Sequence, residues 1–461
     1  MRKAVKIVAT IGPKTNSREG VAGLLRAGAD IFRLNGSHSD LDWHGAAIQA
    51  IRAETMVAPI LLDIPGSKIR TGNLGDGIPL SSDQLISFGV FSSTDRSLTP
   101  TTLQVMPSDI EPGQRIFADD GTLEFEVLEL GSDSISCRTI TPGLLRTAKG
   151  LNFPASSISD GELSERDTKL LSFAAENLLD FVGISFVHSA RQVTRVREVL
   201  GADGPSILAK IENQAGFENR EEVISAADAV MIDRGDLATE TGKFEVGVRQ
   251  TVIVRDCVRL AKPVVVATEM LHSMTHLPFP TKAEVSDITT AVLQGASATM
   301  LSGETAVGDF PEESVAAMAQ TISATEEFVL SDQPVPDLDV PDLMLDAAAA
   351  LALSAKVAKC IVFTRSGYAA RRMSSRLSGV EILVVSDDER TARRVNLLRG
   401  VRGFASRHTF SRETADFVRL QIDEFVKDGV LRTGDRLLVT GVMFPREGER
   451  QNFLLLTEAS D

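Results

Sequence analysis

Short apolar runs recur along the chain, separated by longer stretches whose apolar residues follow helical spacing. Eight runs are strand-sized: residues 5–9, 31–34, 60–62, 181–184, 207–209, 229–232, 264–267 and 298–301. Several are rich in Val and Ile and almost continuously apolar. A strand with one wet face alternates apolar and polar residues, whereas a continuous run suits a strand covered on both faces, as in a parallel sheet wrapped by helices. Eight such units predict an α/β fold of the (β/α)8, or TIM barrel, type. An open, doubly wound sheet is the structural alternative.

The run ends carry the chemistry. Thr10 closes the first, Arg33 and Asn35 the second, Asp63 the third and Ser185 the fourth. Lys210 and Glu212 close the fifth, Arg234 and Asp236 the sixth, Thr268 and Glu269 the seventh, Ser302 and Glu304 the eighth. The carboxyl ends of barrel strands share one face, where active sites are built. These groups are therefore expected to converge. Loop polarity alone explains Thr10 or Ser185, but explains eight polar ends with cations and carboxylates among them less well.

The chain between the third and fourth runs is far longer than a βα loop. Within it, Thr122-Leu-Glu-Phe-Glu-Val-Leu-Glu-Leu130 alternates with period two after a turn at Asp119-Asp-Gly121, and residues 134–141 alternate too. Residues 73–155 read as an inserted, mostly antiparallel domain, a small β-barrel placed to act as a lid. Residues 1–72 and 156–330 form the barrel. Residues 331–343, rich in Pro and Asp, read as a linker. Residues 344–461 read as an α/β domain, with strands at 360–363, 381–385 and 436–440.

Charge narrows the partners. Lys and Arg number 48 against 63 Asp and Glu, a net charge of -15. That argues against nucleic acid or an anionic membrane, and requires an anionic substrate to be held by local cations or a metal. The three cysteines are widely spaced, with no disulfide or zinc pattern. Lys6 interrupts any signal core, and the apolar run at 347–355 is too short for a bilayer and reads as a buried helix. A soluble, cytoplasmic protein is expected.

Two residues apart on an extended segment, Lys210 and Glu212 face the same way. Glu212 and Asp236 on adjacent strand ends are a candidate Mg2+ pair, with Gly235 allowing close backbone approach to a ligand. A Lys–Glu ion pair and a Gly-Asp turn explain the same spacing equally well. Arg33-Leu-Asn-Gly-Ser-His38 offers a cation, an amide, a hydroxyl and an imidazole, with Ser39 or Asp40 available as a helix cap. Asp63 and Arg70 are candidate cation and phosphate contacts. There is no Gly-rich phosphate loop of the Walker or dinucleotide type, and His272 and His276 lack the His-Glu-x-x-His pattern. Thr364-Arg-Ser-Gly367, ahead of a helical stretch, is a candidate anion site or a simple cap.

Together these segments resemble the pyruvate kinase family over nearly the whole chain. The resemblance rests on Lys6-Ile-Val-Ala-Thr-Ile-Gly-Pro13, Leu208-Ala-Lys-Ile-Glu-Asn-Gln214, Arg234-Gly-Asp-Leu237, Pro280-Thr-Lys-Ala-Glu-Val-Ser-Asp287 and Met300-Leu-Ser-Gly-Glu-Thr-Ala306 in that order. It implies phosphoryl transfer from phosphoenolpyruvate to ADP, giving pyruvate and ATP, in a homotetramer. It implies that Lys210 stabilises the phosphoryl group and the enolate. Glu212 and Asp236 would hold Mg2+, or Mn2+. Arg33 would meet the substrate phosphate, and Thr268 with the Gly235 and Asp236 backbone its carboxylate. Asn35, Gly36, Ser37, His38, Arg70 and Lys149 would face the nucleotide.

Departures from the family pattern matter as much. Leu62-Asp-Ile-Pro-Gly-Ser-Lys-Ile-Arg70 stands where the family has Leu-Asp-Thr-Lys-Gly-Pro-Glu-Ile-Arg. Ile64 replaces a Thr that helps bind K+, and Lys68 replaces a Glu beside that site. Lys68 is expected to stand in for K+, leaving Asn35, Ser37 and Asp63 as vestigial K+ ligands and K+ itself dispensable. Gly36 and Ser39 replace Phe and Gly. Asp233 and Glu269 replace a small residue and Gln, adding negative charge. Thr364-Arg-Ser-Gly367 resembles the family's effector phosphate loop, but residues 441–452 lack the expected glycine-rich loop. A binding protein with little turnover, and an Mg2+ enolate enzyme with another substrate, are the competing functions.

Overall fold

The eight apolar runs are the strands of one closed parallel barrel in the computed structural model: Lys6–Thr10, Ile31–Asn35, Ile60–Ile64, Phe181–Ile184, Ser206–Ile211, Ala229–Asp233, Val264–Ala267 and Ala298–Leu301. The structure describes residues 3–66, 68–93, 95–103, 110–119, 121–154, 163–327, 340–407, 410, 416–443 and 451–459. Pairing of the first strand with the eighth, Lys6 beside Ala298 and Val8 beside Met300, closes the ring and excludes the open sheet.

The runs are continuous because both faces are covered. Val8, Leu61, Leu208, Met231, Val265 and Met300 fill the barrel interior, while Ile7, Leu62, Ile207, Val230 and Val264 meet the surrounding helices. Several helix starts are fixed by a polar side chain that accepts otherwise unpaired backbone N–H groups. Asp40 accepts from Trp43 N at 2.8 Å, and Ser164 with Asp167 forms a reciprocal capping box. Asp40, not Ser39, is the cap of its helix; Ser39 takes a left-handed φ of 62° just before it.

The insertion follows the third strand. Its strands form a six-stranded sheet that curls on itself, plus a two-stranded ribbon pairing Ile78–Leu80 with Gly143–Leu145. Leu123, Phe125 and Val127 are buried while the residues between them are not, as the period-two pattern required. Pairing is antiparallel except between Leu85–Gly89 and Thr99–Pro100, and the last alternating strand ends at Thr139, short of the expected Thr141.

The C-terminal sheet has five strands in the order Val401–Ala405, Glu381–Ser386, Lys359–Phe363, Arg436–Met443, Gln451–Glu458. Two of them, Val401–Ala405 and Gln451–Glu458, were not legible as separate strands. Residues 444–450, in the stretch expected to lack a glycine-rich loop, lie outside the described residues, as does most of the linker. This sheet with its helices meets the barrel's amino-terminal end. Leu397 joins the interior barrel cluster, Lys6 donates to the Val401 carbonyl at 2.7 Å, and the buried Asp180 binds Arg52 and Arg393. All three cysteines are buried and unbonded to each other, and no helix among the described residues is long and apolar enough to cross a membrane.

Candidate active site

Lys210 sits at the centre of the carboxyl-terminal barrel mouth, 5% exposed. Its ammonium lies 2.9 Å from Glu212, 3.2 Å from Asp63 and 3.6 Å from Asp233, and donates to Ser185 Oγ at 3.0 Å. The same-side placement of Lys210 and Glu212 follows from their two-residue spacing. Burial alone would lower the Lys210 pKa, but Asp63, Glu212 and Asp233 outweigh it and hold the amine protonated.

Asp63 is saturated. Arg33 reaches its Oδ2 through Nε at 3.0 Å and Nη2 at 2.5 Å, and Arg33 Nη1 donates to Thr10 Oγ1 at 3.2 Å. Burial would raise the Asp63 pKa, but Lys210 and Arg33 together hold it below the usual carboxylate range.

Glu212 is the opposite case. It is fully buried, and both carboxylate oxygens lack a hydrogen-bond partner among the described residues; the Lys210 contact is close but poorly aligned. Burial pushes its pKa up to about 8, and Asp233 and Asp236 push the same way against Lys210. One ligand oxygen each from Glu212, Asp233 and Asp236 fall within 4.8 Å of one another, the one such group among the described residues. Three buried, hard carboxylate donors, with the Glu212 oxygens lacking a hydrogen-bond partner among the described residues, fit a divalent cation such as Mg2+ or Mn2+.

Thr268 and Glu269 both adopt left-handed backbone, at φ of 66° and 53°. Such conformations are costly for residues with a side chain and persist only when held. Arg234 holds this turn: Nε and Nη2 donate to the Thr268 carbonyl at 3.1 and 2.7 Å, and Nη1 pairs with Asp287. Thr268 Oγ1 in turn accepts from Gly235 N at 3.0 Å and lies 3.1 Å from Asp233 Oδ1. A Cβ on Gly235 would make only ordinary contacts with Asp233 and Thr268, so protein packing does not demand glycine there.

On the other side of the mouth, cations gather around His38. Burial lowers its pKa, and Arg70, Arg33, Arg166 and Lys149 lower it further, so the imidazole is neutral near pH 7. Asn35 Oδ1 accepts from Ser37 N at 3.1 Å, and Arg70 reaches Ser37 Oγ at 3.4 Å. Lys149 pairs with Asp119 at 2.7 Å. Gly36 is needed for packing: a Cβ would fall 2.8 Å from the Asp63 carbonyl, to which Gly36 N donates at 2.7 Å. Ser302 and Glu304 do not join the site; Glu304 accepts from the Ser302 and Leu271 backbones and fixes their loops.

Residues 2–315 match the family description "Pyruvate kinase, barrel domain" and residues 342–455 match "Pyruvate kinase, alpha/beta domain". Pyruvate kinase of Agrobacterium vitis is 34% identical over 99% of this chain and 98% of its own, and that of Candida albicans is 35% identical over 94% and 91%. A crystal structure of a pyruvate kinase from Cryptosporidium parvum superposes with a TM-score of 0.89 at 28% identity, covering 99% of this chain and 96% of that one. The chain belongs to the pyruvate kinase family. It is a phosphotransferase, and pyruvate kinases use a divalent metal.

Against the pyruvate kinase pattern, three features stand out. Asp233, noted in the sequence as added negative charge, supplies a third carboxylate beside the Glu212 and Asp236 pair. Arg166 joins the cations around His38 and donates to the Gly36 carbonyl at 2.8 Å. It lies between the capping-box residues Ser164 and Asp167, and no local pattern marks it. Lys68 binds both oxygens of Asp236 at 2.6 Å and lies 5.3 Å from the Phe186 ring centroid. Its ammonium is thus drawn to the metal-side carboxylates rather than to Asn35, Ser37 and Asp63. A Cβ on Gly150 would strike Lys68 Cε at 2.5 Å, so the glycine after Lys149 makes room for this side chain.

Proposed function

We propose that the barrel mouth moves the phosphoryl group of phosphoenolpyruvate to ADP without needing K+. The observation that carries the reading is the buried Lys210 ammonium beside Glu212, whose oxygens have no hydrogen-bond donor. As the bond from phosphorus to the enol oxygen breaks and the bond to the ADP terminal oxygen forms, negative charge collects on the phosphoryl oxygens and the enolate. Lys210 and Arg33 are fixed cations that answer both. Glu212, Asp236 and Asp233 would hold a divalent ion, which would supply Lewis-acid stabilisation there. Thr268 and the Gly235 and Asp236 N–H groups orient the substrate carboxylate. Asn35, Gly36, Ser37, His38, Arg70, Lys149 and Arg166 line the nucleotide side.

The K+-independent part rests on Lys68. It is a permanent, buried cation beside the phosphoryl site, and its pKa is raised because Asp236, Glu212 and Asp233 outweigh burial. Asp63 already has its charge matched by Arg33 and Lys210. Residues 73–155 serve as a lid in this reading, tied to the barrel where Asn152 donates to Glu240 at 2.9 Å and approaches Asp236 at 3.5 Å. A homotetramer is supported by Leu454, Leu455 and Leu456, exposed on the last strand of the C-terminal sheet; light scattering after gel filtration measures it.

A second reading, a binding protein with little turnover, is favoured by Lys68 occupying a metal-ligand carboxylate. One assay separates the two: pyruvate formation from phosphoenolpyruvate and ADP with Mg2+, with and without K+, in wild type, Lys210→Met and Lys68→Met. Robust K+-insensitive turnover that collapses in Lys210→Met supports the proposal, and Lys68→Met then becomes K+-stimulated. No turnover by folded wild type selects the second reading, and a saturable K+ requirement in wild type removes the role given to Lys68.

A further inference from the structure

Where the barrel's amino-terminal end meets the C-terminal part, cations outnumber their partners. The barrel contributes Arg197 and Lys262, and the C-terminal helices contribute Arg371, Arg390 and Arg394. Among the described residues, Lys262, Arg371, Arg390 and Arg394 have no carboxylate within ion-pair distance. They instead donate to backbone carbonyls: Lys262 to two, those of Ala227 and Ser225, and the arginines to one each, Arg371 to Ser366 at 3.2 Å, Arg390 to Asp203, and Arg394 to Gly204 at 2.8 Å. The Nε atoms of Arg390 and Arg394 are buried without a partner. Asp228 is the carboxylate that acts on Lys262, Arg371 and Arg394 alike, and it already takes Arg197 at 3.1 Å and the Ile207 N–H at 2.8 Å.

The neighbouring junction at Asp180 is different. There two arginines, Arg52 and Arg393, converge on one fully buried carboxylate at 2.8 and 2.9 Å, with good hydrogen bonds on both oxygens. That contact is a closed structural joint. Around Asp228 the pair of Arg197 and Asp228 is more than a third exposed, and the other cations are half-buried. Burial lowers the pKa of Lys262, Arg371 and Arg394, and Asp228 opposes in each. Arg371 and Arg197 lower Lys262 further, Arg390 lowers Arg394, and Arg372 lowers Arg371, while Tyr368 opposes for Arg371 and Asp180 and Asp388 oppose for Arg394. Capping helix ends explains these carbonyl contacts. It does not explain five cations drawn together in a chain of net charge -15.

We propose that this junction binds a phosphate-bearing anion, with Lys262 and Arg371 as principal contacts and Arg197, Arg390 and Arg394 completing the shell. Guanidinium groups present forked N–H pairs matched to phosphate oxygens, and an ammonium adds a point charge. The bound anion bridges the barrel to the helices Tyr368–Arg376 and Glu389–Arg394, and so fastens the C-terminal part to the barrel. The site borders the loop at 364–367, where Arg371 donates to the Ser366 carbonyl, but uses none of that loop's side chains. There Thr364 Oγ1 accepts the Gly367 N–H at 3.0 Å and Arg365 pairs with Asp387 at 2.8 Å.

Pyrophosphate is the probe. Its binding to the full chain is measured by calorimetry and by thermal melting, without divalent metal and at constant ionic strength set with NaCl. Wild type is expected to melt higher with pyrophosphate, and Lys262→Gln/Arg371→Gln to lose at least about tenfold in affinity, as expected when two charge-assisted contacts go. Lys210→Met and Ser366→Ala are expected to keep the response, since neither residue belongs to the shell. The double variant is also expected to melt no lower than wild type without the anion, because mutual repulsion has been relieved; a purely carbonyl-capping role would lower it. An unchanged response in the double variant, no response in wild type, or loss only in Lys210→Met or Ser366→Ala overturns the proposal.

Discussion

Two buried carboxylates face each other across Lys210, and they are built for opposite ends. Asp63 has its charge matched by Arg33 and Lys210, and its pKa is held low. Glu212, fully buried, has no aligned donor, and burial carries its pKa to about 8. Both are polar ends of apolar strands, and sequence position treats them alike. The difference is in the company each keeps. One is a finished ion-pair network that fixes Arg33 and Lys210, and the other is left incomplete for a cation.

The sharpest way to break this contrast is activity. Lys210→Met or Glu212→Gln is expected to lower kcat by about a thousandfold or more, the scale lost when preorganised charge or metal is removed from a transition state. Steady-state pyruvate formation by variants with native circular dichroism measures it; retention of a tenth of the activity contradicts the roles given.

Stability should split the two sites next. Asp63→Asn leaves Arg33 and Lys210 buried with an unmatched charge, and is expected to cost about 3–5 kcal/mol in urea unfolding. Glu212→Gln removes a carboxylate that burial disfavours, so the metal-free chain should lose little stability or gain some. Equal losses would erase the distinction.

A smaller effect follows from pH. Burial raises Glu240 to about 7 and Glu212 to about 8, above their values in an unfolded chain. The folded chain therefore holds protons that the unfolded chain has released. This contribution to stability is full below the ordinary Glu range and is lost as pH rises through about 7 to 8. Melting of metal-free protein should fall across that window, and Glu240→Gln should flatten part of the fall. A rise in melting temperature there would show the sign to be wrong.

Much of the barrel was legible because strands buried on both faces leave continuous apolar runs, and because their polar ends must share one face. Lys210 with Glu212 was legible from two-residue spacing alone. Arg166 was missed, and the roles of Asp233 and Arg234, though both residues were noticed, were not legible, because each role depends on a partner elsewhere in the chain. Asp233 gains meaning only beside Glu212, Arg166 only beside His38, and Arg234 only through Thr268 and Asp287. Lys68 was noticed as a cation, but its partner Asp236 lies 168 residues along the chain. The strands Val401–Ala405 and Gln451–Glu458 were missed because Arg402 and Gly403 interrupt one run, and the other is an antiparallel edge strand with three exposed leucines.

The smallest expected effect concerns the added carboxylate. Asp233→Ala should weaken divalent binding by about tenfold while leaving the fold intact, the scale seen when one supporting group of a metal site is lost. Titration of Mn2+ into the free protein, followed by electron paramagnetic resonance, tests the whole contrast most directly. Tight binding in wild type, weaker binding in Asp233→Ala, near loss in Glu212→Gln and retention in Asp63→Asn are expected. Binding that survives Glu212→Gln but vanishes in Asp63→Asn would place the cation on the wrong side of Lys210 and contradict the assignment.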